Sequence, residues 1–372
     1  TPSLVVEPGR GLTVTSADGN NQFNVRARVQ MAASMGKTGD DTTVEAQIRT
    51  LRLYVTGNVL RPELKYLIQF AFGAGDFDKD SASPIFDAYV EYVKLRDFNV
   101  RAGQYFVPFD RARTIREFAL QFVDRQSVVR ELSLDRDVGL MFSSQDLFGL
   151  GGRLAYNAFV GGGDGRNRIA TSSKAGPQKP GVLLVGRLTL RPFGPMDDDQ
   201  EADLTRGHSP RMALGVAGGY NFASDRDKST FGNTYTLGTF DYAHAASDLV
   251  FKFRGLSLLA EILYRKANRE SHTGMVSGQM LTERSRSGYG YFVQGGQMLT
   301  RRFEVVARWE ELKGTDRALK DVAKASGRTL GGGINLYVNA HFFKLQSDYF
   351  YTFGEHFQHG AHVARLQLDA TF

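Results

Sequence analysis

The chain reads as all-β: a transmembrane antiparallel β-barrel of about sixteen strands, with its third external loop folded inward. Three observations predict this. Apolar residues recur at every second position through nearly all of the 372 residues. The connections between these periodic segments are mostly long after odd strands and tight after even ones. Glycine is abundant, at 41 residues, and dispersed inside the segments, where a closed sheet needs curvature and close backbone approach.

The alternation sets each element in turn. Phe23, Val25, Ala27, Val29 and Met31 alternate with Asn24, Arg26, Arg28 and Gln30 in a first strand near 22–35. Segments near 44–58, 63–73, 85–96, 98–107, 137–147, 152–162, 182–193 and 211–222 follow. A tenth, 235–253, is long and broken around His244–Ser247. The remainder lie near 256–267, 286–298, 302–312, 328–340, 342–353 and 361–372. Side chains on a strand point to opposite faces in turn, so each segment has one apolar and one polar face. Tyr289, Tyr291, Tyr349, Tyr351, Phe353 and Phe372 fall at strand ends, where interfacial girdles sit. The Pro- and Asp-rich connection 194–210 lies on the short-turn side, and the layout does not account for its length.

A soluble sandwich would need several domains to hide this many one-faced strands. No linker or composition shift divides the chain, so residues 1–372 read as one barrel, with 1–21 an N-terminal segment and 108–136 a constriction loop. No apolar run approaches the ~20 residues of a membrane helix. The absence of cysteine excludes disulfides, thiolate metal sites and a Cys nucleophile, and suits an oxidising compartment. The chain opens on Thr1-Pro2-Ser3-Leu4 without a basic-then-apolar signal, as a processed or trimmed chain would.

Net charge is +6, and arginine supplies 33 of the 46 basic residues. A guanidinium is a planar, always-charged fork suited to carboxylate and phosphate. By parity the polar face carries Arg26, Arg28, Arg52, Lys65, Arg101, Arg153, Arg187, Arg191, Lys252, Arg265, Arg308, Lys344 and Arg365. Against them stand Asp87, Glu91, Glu261, Glu304, Glu310, Asp348 and Asp369. In a barrel that face is the lumen, and its basic excess would concentrate anions.

Gly103-Gln104-Tyr105-Phe106-Val107-Pro108-Phe109, then an arginine- and aromatic-rich segment, then Arg136-Asp137-Val138-Gly139, resembles the phosphate-selective porins O and P. Weaker echoes lie at 11–30, 49–59 and 255–265, and the terminal Phe372 resembles the aromatic residue that outer-membrane insertion machinery reads. The resemblance implies a trimeric, sixteen-stranded porin of a Gram-negative outer membrane, surrounded by lipid and lipopolysaccharide. It also implies an arginine ladder leading small anions, phosphate-like ones above all, to an inward loop. Residues 108–137 balance Arg111, Arg113, Arg116, Arg125, Arg130 and Arg136 with six acids and contain no lysine, a departure from family members that prefer phosphate.

The expected function is passive diffusion of small anions without turnover chemistry or cofactor. Arg111, Arg113, Arg116, Arg125 and Arg130 are expected at the constriction; a helix over 111–122 would put Arg113 and Arg116 on one face. Alternatively, these arginines pair with the loop's own acids and pin it to the wall. A general non-selective porin, a barrel hydrolase and a structural, partner-binding barrel are the rival functions. His356, His359 and His362 span a loop and a strand start, where metal ligands would not converge, and the Asp197–Asp199 run reads as a solvated turn. The even spread of basic residues lacks the clustered patch of a nucleic-acid binder.

Overall fold

A computed structural model describes residues 1–73, 76–77, 83–167 and 181–372. Its strands are β1 (Ser3–Glu7), β2 (Gly11–Thr15), β3 (Gln22–Thr38), β4 (Asp41–Val59), β5 (Arg61–Ala71), β6 (Ile85–Tyr92) and β7 (Asn99–Phe106). Then come β8 (Arg136–Ser144), β9 (Leu154–Gly161), β10 (Val182–Leu190), β11 (Arg211–Ser224), β12 (Phe240–Phe253) and β13 (Leu256–Ala267). The last are β14 (Ser271–Val276), β15 (Gln279–Arg284), β16 (Gly288–Met298), β17 (Phe303–Gly314), β18 (Arg328–Asn339), β19 (Phe343–Phe353) and β20 (Ala361–Thr371). The strands β3–β13 and β16–β20 form one closed antiparallel ring of 16. It closes where β20 pairs with β3, from Ala361 opposite Thr38 to Thr371 opposite Arg28.

The inside-out arrangement follows from parity. On β10, Arg187 is 8% exposed while its neighbour Leu188 is 50% exposed. Val216, Ile262, Val293, Leu330, Ile334 and Leu366 likewise face outward, whereas Arg28, Arg52, Lys252, Arg265, Arg308 and Lys344 are buried inside. An apolar exterior around a polar interior suits a strand wall whose solvent is lipid. At the long-loop end, Trp309, Tyr351, Phe353 and Phe357 cluster with centroid separations of 4.8 to 6.2 Å.

Several expectations are corrected. The tenth strand is unbroken through His244–Ser247 and starts at Phe240. The N-terminal segment holds two strands: β1 pairs with β2, and β2 continues the sheet onto the start of β3. The connection 268–285 carries its own hairpin, β14–β15. Arg153, expected on the lumen wall, lies in the turn before β9 and is exposed. Gly151 and Gly152 take φ of +67° and +72° there, so the strand begins after them. The expected long connections 74–84 and 163–181 fall in part outside the described residues.

Candidate permeation site

The segment 107–135 between β7 and β8 does not stay outside the ring. Val107, Phe109, Ile115, Leu120, Val128, Val129, Leu132 and Leu134 are buried against inward-facing Leu183, Val185, Leu259, Leu263 and Phe292. Each fully buried side chain of this size contributes about 1.5–3 kcal/mol. A backbone inside a barrel must also find partners for its amides and carbonyls. Inward side chains supply them. Lys344 Nζ donates to the Leu120 carbonyl at 2.7 Å, and Asn335 donates to that of Gln121 at 2.8 Å. Val123 N–H donates to Asp348 at 2.9 Å, Ala112 N–H to Glu261 at 3.1 Å, and Arg187 donates to the Phe109 carbonyl at 2.8 Å. Many lumen charges therefore act as anchors for the inner segment.

The segment contains α1 (Arg111–Thr114) and α2 (Ser127–Leu132). Asp110 caps α1 by accepting the Arg113 amide at 2.9 Å. The expected helix over 111–122 ends early, because Ile115 is extended and only a short 3-10 turn follows at Glu117–Ala119. Arg113 and Arg116 consequently diverge. Arg113 pairs with Asp135 at 2.6 Å, and Arg116 reaches Asp87 at 3.0 Å and Gln69 at 2.9 Å. Arg111 is held by Asp248 at 2.5 Å and Asp198 at 2.8 Å. Arg125 donates to the carbonyls of Ala112 and Ile115 and lies 3.4 Å from Glu117. Arg130 is exposed on α2.

The wall arginines also divide. Arg28 pairs with Asp369 at 2.8 Å and stacks on Phe118. Arg52 joins Asp76 and Glu117 at 2.9 and 2.6 Å. Arg187 pairs with Asp248, and Arg191 with Asp198. Arg101 meets Glu91 at 2.9 Å, sits 4.3 Å over the Tyr89 ring and keeps 24% of its side chain exposed. Arg26 lies half-buried over Tyr54.

A second segment enters from the short-turn end. Within 194–210, Asp198 bridges Arg111 and Arg191, and Glu201 accepts from the Gln121 amide at 2.6 Å. Lys252 ties down the carbonyls of Asp197 and Gln200 at 2.6 and 2.8 Å. The unexplained length of this connection is thus an inward fold that meets the inner segment. Sequence reasoning missed Asp198, Glu201 and Asp248. Parity would have found Asp248, two positions from Ala246 and four from Lys252, once β12 is taken as unbroken. For Asp198 and Glu201 the only signal was that length.

Two cavities flank the inner segment. One, about 460 Å³, opens toward the long-loop end and is lined by Arg49, Arg125, Arg130, Arg308 and Arg365 against Glu45, Asp124 and Glu310. Asp124 pairs with both Arg49 and Arg365. The other, about 610 Å³, opens toward the short turns and is lined by Arg101, Arg116 and Arg187 against Glu91 and Asp199. Cations outnumber carboxylates in each. Among the described residues no cluster of metal-binding side chains occurs.

No protein-family model matches the chain, and no curated protein sequence does. Solved structures do match. The outer membrane channel DcaP of Acinetobacter baumannii aligns with TM-score 0.55 at 14% identity over 96% of this chain and 99% of that one. An anion-selective porin from Comamonas acidovorans aligns with TM-score 0.57 at 11% identity over 95% and 100%. The trimer form of OmpT, an outer membrane protein of Vibrio cholerae, gives 0.53 at 11% identity over 94% and 99%. At such identities the likeness establishes the fold alone: a porin-like antiparallel β-barrel.

Proposed function

We propose that the chain is a passive diffusion pore for small anions, with phosphate and other oxyanions the leading permeants, and that 107–135 is its constriction. One observation carries the reading: cations exceed carboxylates in both cavities that flank the inner segment. A narrow channel concentrates counter-ions through such a field, and several weak guanidinium sites let an ion enter and leave. Arg116 and Arg130 on the inner segment, with Arg26, Arg49 and Arg101 on the wall, are the residues that would meet the ion. Arg111, Arg113 and Arg125 serve the fold in this reading, since they are held by carboxylates and carbonyls and keep no more than 17% of their side chains exposed, against 24% or more for Arg49, Arg101 and Arg116. That pairing favours a second reading, a pore with little charge preference.

Reversal potential in a potassium chloride gradient across a planar bilayer separates the two. Anion preference that falls in Arg116→Gln plus Arg130→Gln supports the first reading; a potential near zero in the unaltered protein supports the second. Repeating the gradient with potassium phosphate tests the permeant class.

We also propose a homotrimer. An apolar exterior groove of about 910 Å³ runs between the N-terminal hairpin and β4–β7, lined by Val14, Phe23, Val59, Ile68 and Val90. A second subunit would fill it. Mass photometry of the detergent-extracted protein tests this.

A further inference from the structure

We propose a binding site for the phosphorylated headgroup of an outer-leaflet lipid on the exterior of the barrel, at the long-loop rim of β16–β18. The connection between β17 and β18 folds into α3 (Arg317–Ser326). Asp316 caps this helix by accepting the Leu319 amide at 3.0 Å, and Leu319 packs into the barrel core. Lys320 and Lys324 lie one turn apart on the helix, both exposed. A cavity of about 490 Å³ lies below them, lined also by Tyr289, Lys313, Arg328, Glu311 and Glu355. Its four cations face two carboxylates.

The carboxylates do not neutralise the helix. Glu311 is shared by Arg328 at 3.2 Å, Lys313 at 3.5 Å and the Tyr291 hydroxyl at 2.8 Å. Lys320 and Lys324 have no ion-pair partner among the described residues. Like charges one helical turn apart cost a few tenths of a kcal/mol, and an anion between them reverses that sign.

Position selects a lipid over a soluble anion. Glu311 and Lys313 occupy outward-facing strand positions, so the cavity opens on the lipid side of the wall and not into the lumen. Tyr289 of its lining is 38% exposed, and Val293, Leu330 and Ile334 continue an apolar strip down the same face. A phosphate held by the lysines would lie at the membrane surface with its acyl chains along that strip. This rests on the outer-membrane fold and not on the pore reading.

The test uses the full chain in detergent, incubated with lipid A or with its dephosphorylated form, washed, and weighed by native mass spectrometry. The expected result is retention of lipid A at least tenfold above the dephosphorylated lipid, reduced about tenfold in Lys320→Gln plus Lys324→Gln. Inorganic phosphate at millimolar concentration should not displace it. Equal retention of both lipids, equal retention by the variant, or displacement by inorganic phosphate each overturns the proposal. Both lysines are exposed, so the variant should keep the heat-resistant gel migration of the folded barrel. Unchanged bilayer conductance in the variant would separate this site from the pore.

Discussion

Two segments enter the barrel, and they are held in different ways. The inner segment 107–135, from the long-loop end, is fixed by apolar burial along its length, with ion pairs and backbone hydrogen bonds to the wall added. The segment 194–210, from the short-turn end, buries less apolar surface: Ala202 and partly buried Leu204 in a small cluster with Met298 and Tyr337, and partly buried Met196 against the main core. Its hold comes from charged and polar contacts through Asp198, Glu201, Asp203 and Lys252. Apolar burial is non-directional and is not weakened by ionic screening, whereas ion pairs are directional and weaken as salt screens them. The first segment should therefore behave as part of the fold. The second should behave as a contact that can be loosened without unfolding the barrel.

The largest effect should come from hollowing the first segment. Phe122 packs against Phe350 with ring centroids 5.0 Å apart, and Arg308 stacks on it at 4.7 Å. Phe122→Ala should cost about 3–5 kcal/mol, since the rigid wall cannot collapse into the space. Urea unfolding of the refolded barrel measures this. A loss below about 1 kcal/mol would mean that burial is not what fixes the segment.

Glu131 on α2 comes next. It meets Arg286 at 2.7 Å, Arg265 at 2.9 Å and Lys228 at 3.0 Å. Burial pushes its carboxyl up, but Arg286, Arg265 and Lys228 outweigh burial and bring it down to about 2. A depressed carboxyl stabilises the fold above its unfolded value and loses that contribution as pH falls through the folded one. The contribution, about 3 kcal/mol, should thus be complete at pH 6 and fade between the ordinary glutamate range and about pH 2. Glu131→Gln should remove it at neutral pH and flatten that part of the pH–stability curve. An unchanged curve would place the effect elsewhere.

Asp198 tests the second segment. In Asp198→Asn, Arg111 keeps Asp248 while Arg191 loses its carboxylate. Stability should fall by about 1–2 kcal/mol. Conductance and anion preference should both rise, because a guanidinium is freed where two segments meet. Unaltered conductance would show that 194–210 does not limit the pore.

How far the sequence carried this comparison depends on the range of each interaction. Which wall residues face inward is local, because period-two alternation sets it; Arg28, Arg52, Arg187 and Arg191 are inside as parity demands. Arg153 fails because a pair of positive-φ glycines delays the strand. The partner of each arginine is not local. Arg111 meets Asp248 across 137 positions and Arg116 meets Asp87 across 29, distances that only barrel register and the path of the inner segment determine. Alternation likewise carries no information about 194–210, whose inward path depends on wall groups such as Lys252 and Gln294.

The smallest effect should come from Arg130, the one constriction candidate whose side chain no carboxylate or carbonyl holds among the described residues. It lies on the exposed side of α2 and lines the cavity at the long-loop end with Asp124 and Arg365. Arg130→Gln breaks no hydrogen bond of its side chain, so stability should stay within about 0.5 kcal/mol. The charge acts on a passing ion through water in an open cavity, so dissolved salt screens it. The anion-to-cation permeability ratio should thus drop by no more than roughly twofold at 0.1 M salt, and more at 0.01 M. A ratio equally insensitive at both salt concentrations would remove Arg130 from the permeation path, leaving Arg116 and the wall arginines to carry any selectivity.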